Sequence, residues 1–243
     1  NKSLPNINNV TQSEVIITGE WKRAITNDCK ISLSTIIDHN ILTPHKAGNI
    51  DIDAVKITAS YYDLIKKKMR LNENISGNKL SIKVKNLPKH SPNNFYGSVG
   101  SNFSIKSEID RTQLESGEAI NYKIILKGTG NINLAETFPL EFPDEFDVID
   151  PNITDNTFVG NKSVNGSKIF EYILIPREEG VYTIPSFKYS YFDVNTEKYV
   201  ELKTKEYKIN VLKGDLNLIN DSTNNISKKN MELEKELNFT KIS

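Results

Sequence analysis

In the second half of the chain, apolar and polar residues take turns. Residues 119–126 (AINYKIIL) place Ile120, Tyr122, Ile124 and Leu126 on one side. Residues 102–109 (NFSIKSEI) alternate through Phe103, Ile105 and, less cleanly, Ile109. The same period runs through residues 168–175, 180–191 and 199–212, ending with Tyr207, Ile209 and Val211 on one face. A period of two sets one face of a strand on a core and the other in water. The runs are rich in β-branched and aromatic residues, which suit a pleated, half-buried surface. Turn-forming stretches separate them: Glu115-Ser116-Gly117-Glu118, Gly128-Thr129-Gly130-Asn131, Asp150-Pro151, Asn165-Gly166 and Glu178-Glu179-Gly180. About seven short strands at this spacing predict an all-β chain with an antiparallel sandwich of immunoglobulin type. The Cys–Trp–Cys core of antibody domains is absent, since Trp21 and Cys29 both lie in the other half.

The first half is less regular. Residues 13–19, 30–37, 48–60 and 79–84 are strand-like, and residues 61–70 (YYDLIKKKMR) fit either a short helix or a charged strand and turn. An internal repeat connects the halves. Leu42-Thr43-Pro44-His45-Lys46-Ala47-Gly48 matches Leu174-Ile175-Pro176-Arg177-Glu178-Glu179-Gly180, with both Pro and Gly displaced by 132 positions. Each copy reads as a strand, a Pro that stops ladder pairing, a turn, and a returning strand. Two related immunoglobulin-like domains in tandem are therefore expected. They are a β domain at 1–86 with too few strands ahead of its repeat, a linker at 87–95 marked by Pro88 and Pro92, and a sandwich at 96–213. The first domain is expected to be incomplete at its N-terminal end or to borrow strands. Residues 214–243 form a polar, largely flexible tail, in which Met231–Leu237 has the composition of a short helix.

Charge and composition narrow the function classes. The 243 residues carry 31 basic and 31 acidic side chains, which argues against a nucleic-acid binder. The balance is uneven, with 13 basic and 8 acidic residues in 1–88 against 13 basic and 18 acidic in 96–213. Drifted solvated surfaces account for this, and two domains with distinct partners is the sharper alternative. No run of about 18 apolar residues is present. The single Cys excludes a disulfide framework and any multi-Cys metal site. The chain begins at Asn1 without Met, as a fragment or processed product would. Only four arginines among many Asn, Lys and Ile residues fit an AT-rich coding bias, which also generates Asn-x-Ser/Thr triplets such as those at Asn152 and Asn165 by chance.

No group of residues forms a reactive constellation, so no catalytic, cofactor-binding or metal-binding residue is assigned. His39, His45 and His90 lack metal-ligand spacing, and His45 reads as a polar turn residue. Cys29 reads as a small buried hydrophobe. Glu141, Asp144, Glu145, Asp147 and Asp150 read as a solvated turn, with an acidic binding patch as the alternative. Gly128–Asn131 and Gly97–Gly100 lack the Lys-Ser/Thr of a phosphate loop and read as β-turns. Lys66-Lys67-Lys68 with Arg70 reads as an exposed basic face. Trp21 and Tyr61-Tyr62 fit core packing or edge capping, with a ligand surface as the alternative.

Five stretches in order carry a family resemblance: Phe95–Gly100 (FYGSVG), Gly128–Ile132 (GTGNI), Phe146–Pro151 (FDVIDP), Phe170–Gly180 (FEYILIPREEG) and Phe187–Asp193 (FKYSYFD). In this order and spacing they resemble the BatD family of Bacteroides aerotolerance, or oxygen-tolerance, proteins. The resemblance is strongest over about residues 87–213. It implies an exported periplasmic protein of immunoglobulin-like domains, anchored to the inner membrane by segments outside this chain. It also implies partners with von Willebrand A-type domains and a complex associated with a MoxR-type ATPase. The family has no established catalytic residues to carry over. The leading expectation is a non-enzymatic scaffold or interaction module of a bacterial envelope complex linked to oxygen or stress tolerance. The alternative is a carbohydrate-binding or adhesin-type sandwich, and a Cys29-based oxygen sensor ranks last.

Overall fold

A computed structural model describes residues 2–3, 7–25, 31–63 and 66–214. Its described residues are all-β apart from one 3-10 turn at Ile132–Leu134. In chain order the strands are β1 (Lys2–Ser3), β2 (Val10–Glu14), β3 (Lys22–Ile25), β4 (Ile31–Ser34), β5 (Asn40–Pro44), β6 (Gly48–Ile52), β7 (Lys56–Asp63), β8 (Lys68–Ser76) and β9 (Leu80–Val84). The second half adds β10 (Phe95–Ile109), β11 (Gln113–Glu115), β12 (Ile120–Gly130), β13 (Phe146–Val159), β14 (Val164–Pro176), β15 (Gly180–Ile184), β16 (Lys188–Asp193), β17 (Lys198–Lys203) and β18 (Tyr207–Leu212). Cys29 and the segment Met231–Leu237 lie outside the described residues.

Strands β10–β18 form the immunoglobulin-like sandwich. One sheet has the order β13-β14-β12-β10-β16-β17 and the other β11-β18-β15. Pairing is antiparallel except between β10 and β16 and between β11 and β18. The alternating positions of the sequence form the core. Ile120, Ile124, Leu126, Phe170, Leu174 and Ile209 are fully covered, and Phe103, Tyr122, Tyr172, Ile184 and Val211 are buried with them.

The sequence reading differs from the structure where polar edges or layer crossings hide the pattern. The run 180–191 divides into β15 and β16, which lie in opposite sheets, with Pro185 between them. The run 199–212 likewise divides into β17 and β18. Thr204 ties this second crossing to the first, its hydroxyl accepting the Phe187 N–H at 2.8 Å. Alternation continues across both crossings because the two sheets share one core. Strand β13 carries no clean alternation. It is an edge strand, mostly exposed, and its bulge between Ile149 and Asn152 accommodates Pro151. The segments Gly97–Gly100 and Gly128–Asn131 are not β-turns, because their glycines lie within β10 and β12. Gly100 stands opposite Gly130, and a Cβ on Gly100 would lie 2.0 Å from the Thr129 carbonyl oxygen.

The first half pairs as β1-β7-β8, β2-β5, β3-β4 and β6-β9. Residues 61–70 thus contribute to two strands rather than a helix. The repeat seen in the sequence extends to the hydrogen-bond register. Gly48 pairs with Val84 and Ile50 with Ile82, as Gly180 pairs with Val211 and Tyr182 with Ile209. Lys56 pairs with Ser76 as Lys188 pairs with Lys203. Val10 pairs with Pro44 and Gln12 with Leu42, as Phe146 pairs with Pro176 and Val148 with Leu174. The His45 N–H donates to the Asn9 carbonyl at 2.9 Å, and the Arg177 N–H donates to that of Glu145 at the same distance. Strands β2, β5, β6, β7, β8 and β9 therefore correspond to β13, β14, β15, β16, β17 and β18. Among the described residues, β5 pairs only with β2 and β9 only with β6, whereas β14 also holds β12 and β18 also holds β11.

Candidate binding cleft

The repeat places Pro44 and His45 where β5 ends, just before the turn into β6. At that end lies a cleft of about 620 Å³ between the two halves of the chain. Leu42, Pro44 and Val84 line it from the first half, and Phe95, Val99 and Val164 from the second. His45, Lys46, Lys85 and Lys162 also line it, giving an apolar cleft with basic groups. Local bonds fix both walls. The His45 ring Nε2 and the Thr11 hydroxyl are hydrogen-bonded at 2.7 Å. The same repeat position in the second half carries Arg177, whose guanidinium donates to the Asp147 carboxylate at 3.0 Å and to the Asp144 carbonyl. On the far wall, the Asn131 carboxamide accepts the Val99 N–H at 2.7 Å and donates to the Gly97 carbonyl at 2.8 Å. Two further contacts join the halves nearby: Lys85 and Glu197 form an ion pair at 3.4 Å, and the Tyr199 hydroxyl donates to the Pro88 carbonyl at 3.2 Å.

The candidate residues of the sequence fall into different places. His45 enters the cleft, His39 lines a separate hollow beside Ile16 and Ile36, and His90 lies in the connecting segment. Among the described residues, no three His, Cys, Asp or Glu side chains converge on a point that would hold a metal ion. The acidic stretch is not simply a turn. Asp144 and Glu145 precede β13, while Asp147 and Asp150 lie on its exposed edge. Lys67 lies in the β7–β8 connection, and Arg70 lies 3.7 Å from the Asp63 carboxylate. The Asn165 amide donates to the Ser163 carbonyl and its oxygen accepts from Thr129, so its side chain is already engaged. Trp21 is 69% exposed and Tyr62 is exposed too, so neither serves as core. The sequence search missed the cleft, since its lining comes from five separated stretches. The Pro–Gly repeat was the only signal pointing toward it.

The arrangement offers apolar contact, backbone edges and positive charge. A lining of this kind suits contact with a ligand surface. No helix among the described residues is long and apolar enough to cross a membrane. Neither a curated protein nor a solved structure matches the chain. Residues 107–211 match the BatD family model, described as a BatD DUF11 like domain, which spans the later part of β10 through β18. The immunoglobulin-like sandwich of this chain thus carries a BatD DUF11 like domain.

Proposed function

We propose that this chain is a non-enzymatic interaction module of a bacterial envelope complex, exported and held at the inner membrane by segments outside these 243 residues. The observation that carries this reading is the BatD domain joined to a second repeat that exposes Ile75, Leu80 and Ile82 among the described residues. A β domain with exposed apolar strands and, among the described residues, no metal-binding cluster is suited to holding another protein. The partners in this reading carry von Willebrand A-type domains and work with a MoxR-type ATPase, and the complex serves tolerance of oxygen or stress. Titration of the chain against those domains, with and without Mg²⁺, tests it. Saturable binding is expected below about 100 µM, which corresponds to roughly −5 kcal/mol. A flat titration in both conditions, or a hydrolytic or redox activity in the purified chain, overturns it.

Exposed Trp21 favours a second reading, a carbohydrate-binding module. That reading expects saturable glycan binding that is lost in Trp21→Ala. A flat glycan titration removes it.

A further inference from the structure

A second pocket, of about 340 Å³, lies beside two connections of the sandwich formed by β10–β18. These are residues 139–142, which precede β13, and residues 185–187, which lead from β15 to β16. Phe142 and Phe187 of these connections, with Tyr96 of β10 and Tyr122 of β12, give the pocket an aromatic lining. The Tyr96 and Phe187 rings lie 6.0 Å apart and 20° from parallel, and Tyr122 meets Phe142 edge to face at 5.7 Å. Tyr122 is buried, Phe142 and Phe187 are half-buried, and Tyr96 is exposed. The whole lining falls within residues 94–188, so it is built by the sandwich alone.

The charges of this pocket are unbalanced. Glu141 lines it, and among the described residues nothing forms an ion pair or hydrogen bond with its carboxylate. Lys188 lines it too, but its ammonium is paired at 3.2 Å with Glu201, which stands outside the lining. The Asn94 amide donates to the same Glu201 at 3.2 Å, and its oxygen accepts the Ser190 hydroxyl at 3.0 Å. What is left is a free carboxylate among four aromatic rings. The sister repeat makes the same connection differently. The offset of 132 puts Asp53, Ala54 and Val55 where Pro185, Ser186 and Phe187 stand, and Asp53 is paired with Lys79 at 2.9 Å. The connection can therefore be built without an aromatic ring.

We propose that this pocket binds a planar organic cation, a guanidinium group, between its aromatic rings and the Glu141 carboxylate. Aromatic rings attract a cation through their quadrupole, and the attraction grows as water is excluded. The carboxylate supplies the opposite charge and can accept two parallel N–H bonds from a guanidinium. A guanidinium also stacks flat on an aromatic ring and is more weakly hydrated than an ammonium, so it enters such a pocket at a smaller desolvation cost. The proposal goes beyond the reading of the chain as an interaction module and does not depend on it.

The test is an NMR titration of the full chain with N-acetyl-arginine N-methylamide as the probe. Saturable shifts are expected at the amides of 140–142 and 186–188. The citrulline analogue, which keeps the shape and lacks the charge, is expected to bind at least tenfold more weakly, and the lysine analogue at least threefold more weakly. Glu141→Gln and Tyr96→Leu are each expected to weaken binding of the arginine probe at least fivefold. The arginine and citrulline comparison on the unaltered chain decides the matter even if Tyr96→Leu does not fold. Free arginine separates the two sources of the group. Tighter binding of the capped probe assigns the guanidinium to a side chain of a polypeptide, tighter binding of free arginine assigns it to a small molecule, and either supports the pocket. Absence of shifts at 140–142 and 186–188 up to about 10 mM probe overturns the proposal. Equal binding of the citrulline analogue overturns it too, as do shifts confined to the acidic edge at 144–155 or a Glu141→Gln variant that binds as well as the unaltered chain.

Discussion

Gly130 faces the neighbouring strand so closely that an added Cβ would lie 2.3 Å from the Val99 carbonyl oxygen, and its φ is +136°. Gly130→Ala is expected to destabilise the sandwich by about 2–3 kcal/mol, because a rigid backbone atom must move. At Gly97, φ is +87° and an added Cβ meets nothing within 4 Å. Gly97→Ala therefore faces backbone strain alone, on the order of 1–2 kcal/mol. Urea denaturation of both variants measures the difference. Tyrosine ionisation gives a second test at this scale. Burial pushes the Tyr172 hydroxyl up to about 12, with Tyr122 and Asp150 adding to the shift. An unfolded tyrosine ionises near pH 10, so above about that pH the unfolded chain releases a proton that the native protein keeps. The contribution of Tyr172 is complete below about pH 10 and is lost as pH rises toward about 12. Burial also raises Tyr122 and Tyr189, so they contribute in the same direction. Denaturation midpoints are expected to fall between about pH 10 and 12, with a shallower slope in Tyr172→Phe.

At the scale of the element, the same strand is worth different amounts in its two copies. Strand β18 lies between β11 and β15 with Ile209 fully buried, while β9 pairs with β6 alone among the described residues. Ile209→Ala is expected to cost about 2–4 kcal/mol, the range for a buried aliphatic side chain. Ile82→Ala, at the matching register position, is expected to cost under about 1 kcal/mol without a partner. Thermal melts of the two variants check this, and equal losses would mean that β9 is covered. The β13–β14 hairpin shows how an element can escape sequence reading. Its outer strand carries Asp147, Asp150 and Asp155 on an exposed edge, where charge discourages unwanted pairing. A polar edge has no period-two signature, so the sequence reading placed no strand there and took Asp150-Pro151 as a turn.

At the scale of the molecule, stability is expected to be uneven. The large buried cluster lies in β10–β18 and the 132–142 segment between β12 and β13, and the first half carries many of its apolar residues outward. Amide exchange is expected to be slow in β12, β14 and β18 and faster by orders of magnitude in β5 through β9. The single tryptophan gives an independent readout. Trp21 is 69% exposed, so its emission is expected near that of tryptophan in water and nearly unchanged by denaturant. A blue-shifted emission that moves red on unfolding would contradict this placement.

The sequence alone determined the all-β class, the inward residues of β12, β14 and β18, and the Pro–Gly repeat. These are local properties: side-chain alternation and turn chemistry are written within a few residues. It also carried the family resemblance, because the order of turns and strands is itself sequential. Tertiary structure decided which strands share a sheet, since alternation is the same on either side of a common core. It turned the glycine segments from expected turns into a close crossing of β10 and β12, because their purpose lies in a neighbour about 30 residues away. It brought Pro44, Val84, Val99 and Val164 to one cleft. It also showed that apolar residues in the first half, buried in the matching strands of the second, remain exposed. Burial depends on which other strands are present, and that information does not reside in the strand itself.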